Sequence, residues 1–524
     1  AQPLVVHFIG DVVSHLDNLF ADRVPQPAAD DDDAASTSKK TAAKGEDGAA
    51  AVPLETESDD DDDDGSADGS VDDLEDIAGI DAGAEGGRGE LLYPRLRQSL
   101  TKQGYRLIGS HSGVKLCRWT KAMLRGRGGC YKHTFYNISS YQCMEMTPSL
   151  ACANKCVFCW RHHTNPVGKE FTWQVDSPEF LVEGAIAAHQ GMLKPMKGVP
   201  GVTPDKLAEA MNVKHCALSL VGEPIMYPRI NEFVELLHAK HISTFMVTNA
   251  QFPDRIAALS PVTQHYLSLD APTKEELKAI DRPLFDDFWE RTIASIKALR
   301  AKTQRTVFRL TLVEGYNMTG LEDYCRLIEL GAPDFIEVKG VTYCGNSDAS
   351  PITMRHVPFH HEVVKFCDAL AKALERRRDE RAAREAAAPA AKPAKVRGVI
   401  GGDDVPGQHT AAASSAAQEA GLPPCDAPLA STRNSNGYGI ACEHEHSCCV
   451  LLADHRFRRG GAWHTWIDYA RFFELFESGR RDFDALEYSA PTPGWAVFRS
   501  DERGFDPAQT RHYRKKRAVP GGGC

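Results

Sequence analysis

The chain of 524 residues is 42% hydrophobic and 25% charged, with 42 Gly, 30 Pro and 15 Cys, enough apolar material for two or three packed domains. No run reaches the ~18 uninterrupted apolar residues that a membrane helix requires, and no apolar stretch behind a basic start resembles a signal peptide, so no membrane partner is expected and an intracellular site is, the cytoplasm before nucleus or mitochondrion. Fifteen cysteines in a chain this long point to metal sooner than to the disulfide scaffolds of short secreted proteins.

The formal charge of −11 is unevenly placed. Residues 1–90 hold 25 acidic against 5 basic side chains, and the remainder holds 56 basic against 47 acidic, a net of +9. A basic folded part is compatible with a polyanion such as RNA and equally with no charged partner.

Residues 1–24, with Val5, Val6, Phe8, Ile9, Val12, Val13, Leu16, Leu19 and Phe20 at helix-like intervals, cannot form a core alone and read as the end of a missing domain. Residues 25–90, rich in Ala, Asp, Gly and Ser and including six consecutive aspartates from Asp59 to Asp64, are expected to be disordered. Short β-rich runs then alternate with helical patterns. Strands are expected at 216–221, 244–248, 266–269, 307–313 and 335–338, and helices at about 178–193, 228–240, 285–300, 319–330 and 360–376. This order predicts an α/β fold whose parallel sheet closes partly into a barrel, with its chemistry at the carboxyl ends of the strands. Residues 377–437 read as a charged helix tail followed by a low-complexity insertion, and patterning resumes at 438–524.

The sharpest feature is Cys152-x3-Cys156-x2-Cys159, three thiols on one short loop. A closed zinc site would need a fourth ligand, which His162 or His163 could supply. Three cysteines on a cubane iron-sulfur cluster instead leave one iron open to a small molecule. Gly222-Glu223-Pro224 follows an expected strand and would offer a carboxylate to an ammonium, although most such tripeptides are turns. Asn249 and Asp270, also at strand ends, fit ribose or carboxylate contacts and fit caps and turns as well. Cys117, Cys130 and Cys143 are spaced 13 and 13 apart, unlike a compact zinc knuckle, so they are either ordinary free thiols or gathered from separate loops. The basic, glycine-rich, aromatic stretch around them suits a phosphate backbone or anionic cofactor, or a solvated loop. Glu443-His444-Glu445-His446 on a strand would place both histidines on one side, as a metal pair or a polar strand end. Cys216, Cys325, Cys344, Cys367, Cys442, Cys448 and Cys449 are read as structural. The dense Arg511, Arg514, Lys515, Lys516, Arg517 tail fits RNA, a solvated end or a nuclear address.

The triad with Phe158 before its last cysteine resembles the radical S-adenosylmethionine superfamily. The run from Ala151 to Gly168, with 104–113, 220–224, 247–251, 336–340 and 441–446, is similar to its tRNA 4-demethylwyosine synthase branch, over most of 91–376 and 438–511. That resemblance implies a partial (βα)6 TIM-like barrel with a C-terminal wyosine-family extension. It implies condensation of N1-methylguanosine, beside the anticodon of tRNA(Phe), with pyruvate. Cys152, Cys156 and Cys159 would hold a [4Fe-4S] cluster and S-adenosylmethionine, with Gly222, Glu223 and Pro224 at the methionine amino group. Cys117, Cys130 and Cys143 would hold a second [4Fe-4S] cluster engaging pyruvate. Lys132, two residues after the middle cysteine of that set, would be the Schiff-base lysine, with a pKa lowered by a basic, partly desolvated pocket; pairing with RNA phosphate is its bland alternative and Lys339 a competing candidate. Eukaryotic members of the branch begin with a flavodoxin-like domain and an acidic linker. Residues 1–24 and 25–90 match only the end of that arrangement, so no FMN site is expected here and electrons would come from that missing domain or a separate reductase. The other readings are a different radical enzyme acting on RNA or protein, and a non-catalytic zinc protein that binds RNA.

Overall fold

The computed structural model describes residues 88–159, 165–345, 350–387 and 437–509. The expectations placed on 1–87, on His162 and His163, on the insertion beyond 387 and on the Arg511–Arg517 tail lie outside these residues.

The described chain opens with α1 (Pro94–Lys102), an antiparallel hairpin of β1 (Tyr105–Ile108) and β2 (Ser112–Lys115), and two short helices, α2 (Arg118–Leu124) and α3 (Tyr131–Tyr136). Six parallel strands follow: β3 (Cys143–Thr147), β4 (His215–Leu218), β5 (Ser243–Thr248), β6 (Gln264–Ser268), β7 (Arg305–Leu312) and β8 (Phe335–Gly340). Between them run α4 (Pro178–Leu193), α5 (Pro204–Ala210), α6 (Ile230–Ala239), α7 (Pro253–Ala258), α8 (Lys274–Asp281), α9 (Phe288–Arg300) and α10 (Leu321–Gly331), and α11 (His360–Ala387) follows β8. The segment 437–509 adds β9 (Tyr438–His444), β10 (Cys449–Asp454) and α12 (Tyr469–Glu477), with β10 antiparallel to both β8 and β9.

The order β1-β2-β3-β4-β5-β6-β7-β8-β10-β9 is thus a parallel six-stranded curl extended antiparallel at both edges. Each parallel crossover needs a helix to return the chain, which is why strands and helices alternate here. Pattern and structure agree closely at α4, where Ser177 caps the helix by accepting from Phe180 N and Pro178 fills its first turn. The helix expected at 360–376 continues to Ala387.

Strand alternation sorts the core into two layers. Met144, Met146, Leu218, Met246, Leu310 and Val338 face the outer helices in one cluster. Cys143, Ala217, Phe245, Tyr266, Val307 and Phe335 face the lumen in another, which also takes Phe135 and Tyr136 of α3 and the buried rings of 457–488. The amino-terminal end of the lumen is plugged by the fully buried Arg305. Its Nε donates to Gln264 Oε1 at 2.9 Å, Nη1 to Ser489 Oγ at 2.7 Å and Nη2 to the Thr465 carbonyl at 2.6 Å, while its guanidinium lies 4.4 Å from the Phe335 ring centre. Arg305→Met should therefore orphan two buried acceptors, Gln264 Oε1 and the Thr465 carbonyl, and take a donor from the half-buried Ser489 hydroxyl, lowering stability by about 2–4 kcal/mol, read as a shifted denaturant midpoint, without altering the carboxyl-end chemistry.

Candidate functional site

Beyond β3 the backbone crosses the carboxyl end of the barrel and carries the first cysteine group. The loop is laced on one side by Gly168 N donating to Cys152 O at 3.0 Å. On the other it is tied to the end of α8, with Lys155 N to Asp281 O at 2.9 Å and Val157 N to Ile280 O at 2.8 Å. Ala151, Ala153 and Asn154 are buried beneath it, while Cys152, Cys156 and Cys159 remain partly exposed. Cys156 feels Asp281, Cys159 and Cys152, so the three thiols share one space, and burial followed by Asp281 and the neighbouring thiols pushes its pKa well up. An ionised thiolate there needs a metal charge to sustain it. Among the described residues no three of His, Cys, Asp and Glu converge as ligands of a single ion. A cubane, whose cysteines each reach a different iron, suits this wider spacing better than zinc does.

Gly222 brings the end of β4 against this loop. Its φ is +75°, and a Cβ there would lie 2.1 Å from Ser149 O, so a side chain is excluded on both counts. Glu223 N then donates to Ala151 O at 2.7 Å, and Pro224 opens a short 3-10 turn. Glu223 Oε2 accepts from Asn249 N at 2.8 Å, whereas its Oε1 is buried without a hydrogen-bond partner. Asn249 Nδ2 reaches Cys152 Sγ at 3.5 Å. Asp270 Oδ1 and Asp281 Oδ1 are likewise buried and unmatched. Burial raises the pKa of Glu223 to about 8 and of Asp270 to about 6, and burial with Asp270 raises that of Asp281. Three carboxyls with orphaned oxygens fit a ligand bearing an ammonium and a sulfonium, which is what S-adenosylmethionine presents.

The same burial makes a stability prediction. A carboxyl whose folded pKa exceeds its unfolded value binds more protons in the native state, so stability falls as pH rises from the unfolded pKa to the folded one. For Glu223 that window runs from 4.5 to about 8. The cofactor-free chain should be less stable at pH 8 than at pH 5.5, and Glu223→Gln should recover about 1–3 kcal/mol at pH 8 while weakening cofactor binding; parallel melts at the two pH values check this.

The second cysteine group lies at the lumen. Cys117 precedes α2, Cys130 precedes α3, and Cys143 opens β3, so three separate elements bring them together. Cys117 feels Glu145, Lys132 and Cys130, and Cys143 feels Lys132, Glu145 and Cys130. Glu145, on the same face of β3 as Cys143, accepts from the Cys117 thiol and from Lys132 Nζ at 2.9 Å. Pattern reading missed this carboxylate, since one Glu in a Cys-Met-Glu-Met-Thr run carries no motif. It corrects the expectation for Lys132. Burial pulls the lysine pKa down, but Glu145, then Cys143 and Cys130, hold it well above the usual value, and the Glu145 pKa is correspondingly low. Lys339, on β8, shows the lowered pKa expected of a nucleophilic amine, through burial and then Arg309.

The acidic-histidine run does not lie on one strand. Glu443 and His444 end β9, and Glu445 and His446 form a 3-10 turn. Both histidines do face one way, against Trp119 at 5.7 and 5.5 Å between ring centres, while Glu443 pairs with His360 Nε2 at 3.0 Å. Of the seven cysteines read as structural, Cys216, Cys325, Cys367, Cys442 and Cys449 are buried, Cys448 is half-buried and Cys344 is exposed. In the basic stretch, Arg118, Lys121 and Arg127 are exposed. No helix among the described residues is long and apolar enough to cross a membrane.

The model of the radical SAM superfamily matches residues 146–328, and that for wyosine base formation matches 330–383. The chain is 54% identical over 445 residues to the human S-adenosyl-L-methionine-dependent tRNA 4-demethylwyosine synthase TYW1, covering 84% of this chain and 52% of that protein. It is 52% identical over 464 residues to the synthase of Arabidopsis thaliana, covering 87% of this chain and 62% of that one. The chain therefore spans between half and two thirds of the length of these relatives. A solved structure of TYW1 with a lysine-pyruvate adduct bound is 25% identical, with a TM-score of 0.52, over 70% of this chain and 98% of that one. The barrel, its two cysteine groups and these matches agree: this chain belongs to the radical S-adenosylmethionine superfamily, in the tRNA 4-demethylwyosine synthase family.

Proposed function

We propose that this chain condenses N1-methylguanosine of tRNA(Phe) with pyruvate to form 4-demethylwyosine. The reading is carried by the placement of Lys132 and Glu145 among Cys117, Cys130 and Cys143, facing a lumen whose open end bears Cys152, Cys156 and Cys159. Cys152, Cys156 and Cys159 would hold one [4Fe-4S] cluster, and Cys117, Cys130 and Cys143 a second whose open iron would meet pyruvate. When bound, the first cluster and S-adenosylmethionine supply a 5′-deoxyadenosyl radical.

The residues of the chain divide the remaining work. Glu223 orients the methionine ammonium through its unmatched oxygen, Gly222 and Pro224 hold it against the cysteine loop, and Asn249 and Asp270 flank it. Lys132 is the amine that captures the ketone carbon of pyruvate. Because Lys132 is held as an ammonium by Glu145, the carboxylate must take its proton before attack, which makes Glu145 the local base. The pair then returns the proton as water leaves and the imine forms. The buried rings of Tyr136 and Tyr266, with the half-buried Tyr131 packed against them, keep bulk water away from a radical that would otherwise abstract hydrogen unselectively. A hydrogen atom passes from the N1-methyl group to the deoxyadenosyl radical, and the resulting carbon radical adds to the imine carbon C2. The C1–C2 bond then breaks, C1 leaving as a one-carbon radical anion that takes one electron and one proton from the reductant and departs as formate. Attack of the guanine amine on the restored imine closes the ring and releases the Lys132 amine. The exposed Arg118, Lys121 and Arg127 would meet RNA phosphate. Electrons would come from a flavodoxin-like domain or a separate reductase.

Anaerobic incubation of the reconstituted chain with N1-methylguanosine-bearing tRNA, pyruvate, S-adenosylmethionine and dithionite tests the reading. Nucleoside mass spectrometry should show the tricyclic base, and its absence from a cluster-loaded preparation refutes the assignment.

A further inference from the structure

The lumen holds two cations that the scheme above leaves without work. Arg309 and Lys339 lie on adjacent strands, with Arg309 opposite Glu337 and Lys339 opposite Thr311 in the β7–β8 register, so both project from the same face, one pair apart. The partners that could quench them are committed or misaligned. Tyr136 OH donates to Glu337 Oε2 at 3.0 Å. Arg309 Nε stands 3.7 Å from Glu337 Oε1, too far for a hydrogen bond, and both of these atoms are buried without a hydrogen-bond partner. Lys339 forms no hydrogen bond or ion pair among the described residues; the cations Arg309 and Arg118 and the acidic groups Cys449 and Glu337 lie in electrostatic reach of it. Glu145, in electrostatic reach of Arg309, is already bound to Lys132 and Cys117.

Glu337 offsets Arg309 as an ion pair without hydrogen bonding to it and Lys339 has no such partner, so two like charges one pair apart in a low-dielectric lumen repel unless a ligand supplies a further anion. A ketone carbon held by Lys132 carries its carboxylate on the adjacent carbon. The oxygens of that carboxylate require donors. We propose that Arg309 and Lys339 form the carboxylate-binding half of the site, selecting a small 2-oxo acid over a neutral ketone and fixing which face of the imine meets the incoming carbon. This rests on Lys132 being the Schiff-base lysine.

Imine trapping tests it without turnover. The Lys132 amine adds to the ketone carbon and water leaves; cyanoborohydride then delivers hydride to the imine carbon, leaving a stable secondary amine that peptide mass spectrometry locates and counts. The reconstituted full chain, its Arg309→Gln and Lys339→Met variants and the charge-keeping Lys339→Arg would each be titrated with pyruvate and with methyl pyruvate, which has the same ketone but no carboxylate. Half-loading of Lys132 should need about tenfold more pyruvate or beyond in Arg309→Gln and Lys339→Met, close to the wild-type amount in Lys339→Arg, and unchanged methyl pyruvate throughout. Superimposed pyruvate curves would overturn the inference while leaving Lys132 as the Schiff-base residue, and so would an equal loss of both ketones, which would mean that the cations shape the lysine alone. A wild-type chain loaded at Lys339, or at no lysine by either ketone, would overturn the functional reading and this inference together.

Discussion

Cys156→Ala should abolish reductive cleavage of S-adenosylmethionine, by a factor of about a thousand or more, and lower the iron content of the anaerobically reconstituted chain by about half. Cys156 is pinned between Cys152 and Cys159 in a loop whose backbone is fixed to α8 on one side and to residues 166–168 on the other. Residues 151–168 hold no fourth cysteine to take its place, so the loss is one of cluster assembly and not of rate tuning. The second group draws on α2, α3 and β3 and shares no element with the first, so its iron should persist. Iron analysis alongside 5′-deoxyadenosine release checks both halves. A Cys130→Ala variant should show the complementary result: cleavage without tRNA is kept, and the tricyclic base is lost.

Lys132→Met should lower tricyclic base formation by about three orders of magnitude or more, because the ketone then has no nucleophile in place. Glu145→Gln should act through the same lysine with a distinct signature. Without its carboxylate the lysine pKa falls, since burial then loses its largest opponent and only Cys143, Cys130 and Tyr131 remain against it. Imine loading of Lys132 by pyruvate at equilibrium should survive, while the rate of loading drops by about 10²–10⁴, the range for loss of a positioned base. Lys132→Arg keeps the ion pair and cannot form the imine, so it should fold as wild type and be inactive. A Lys132→Arg chain that makes the tricyclic base at the wild-type rate would remove this residue from the chemistry.

How far the sequence carried these assignments follows from where each signal resides. The strands β4 to β8 are buried on both faces and read as short apolar runs, so all five were visible within a few residues. β3 escaped, because Cys143-Met144-Glu145-Met146-Thr147 spends its lumen positions on a cysteine and a carboxylate instead of Val or Ile. The Cys152, Cys156 and Cys159 group was legible because its ligands are local. Glu145, Arg309 and Glu337 were not, because each acquires its role only when the barrel curls and distant strands meet. The error over the Lys132 pKa has this same origin: the basic neighbours are in its own segment, and the carboxylate that governs it is thirteen residues away on another element. Glu443 and His444 illustrate the converse, since an arresting local pattern dissolves into a strand end and a turn.

The central claim is that a radical generated at the Cys152, Cys156 and Cys159 loop takes hydrogen from the N1-methyl group of a nucleobase held in this barrel. Its most direct test uses tRNA whose N1-methylguanosine carries a fully deuterated methyl group, incubated anaerobically with the reconstituted chain, pyruvate, S-adenosylmethionine and dithionite. The account predicts 5′-deoxyadenosine bearing one deuterium, formed together with the tricyclic base. Tricyclic base accompanied by unlabelled 5′-deoxyadenosine, or no 5′-deoxyadenosine from a fully iron-loaded chain, would contradict it.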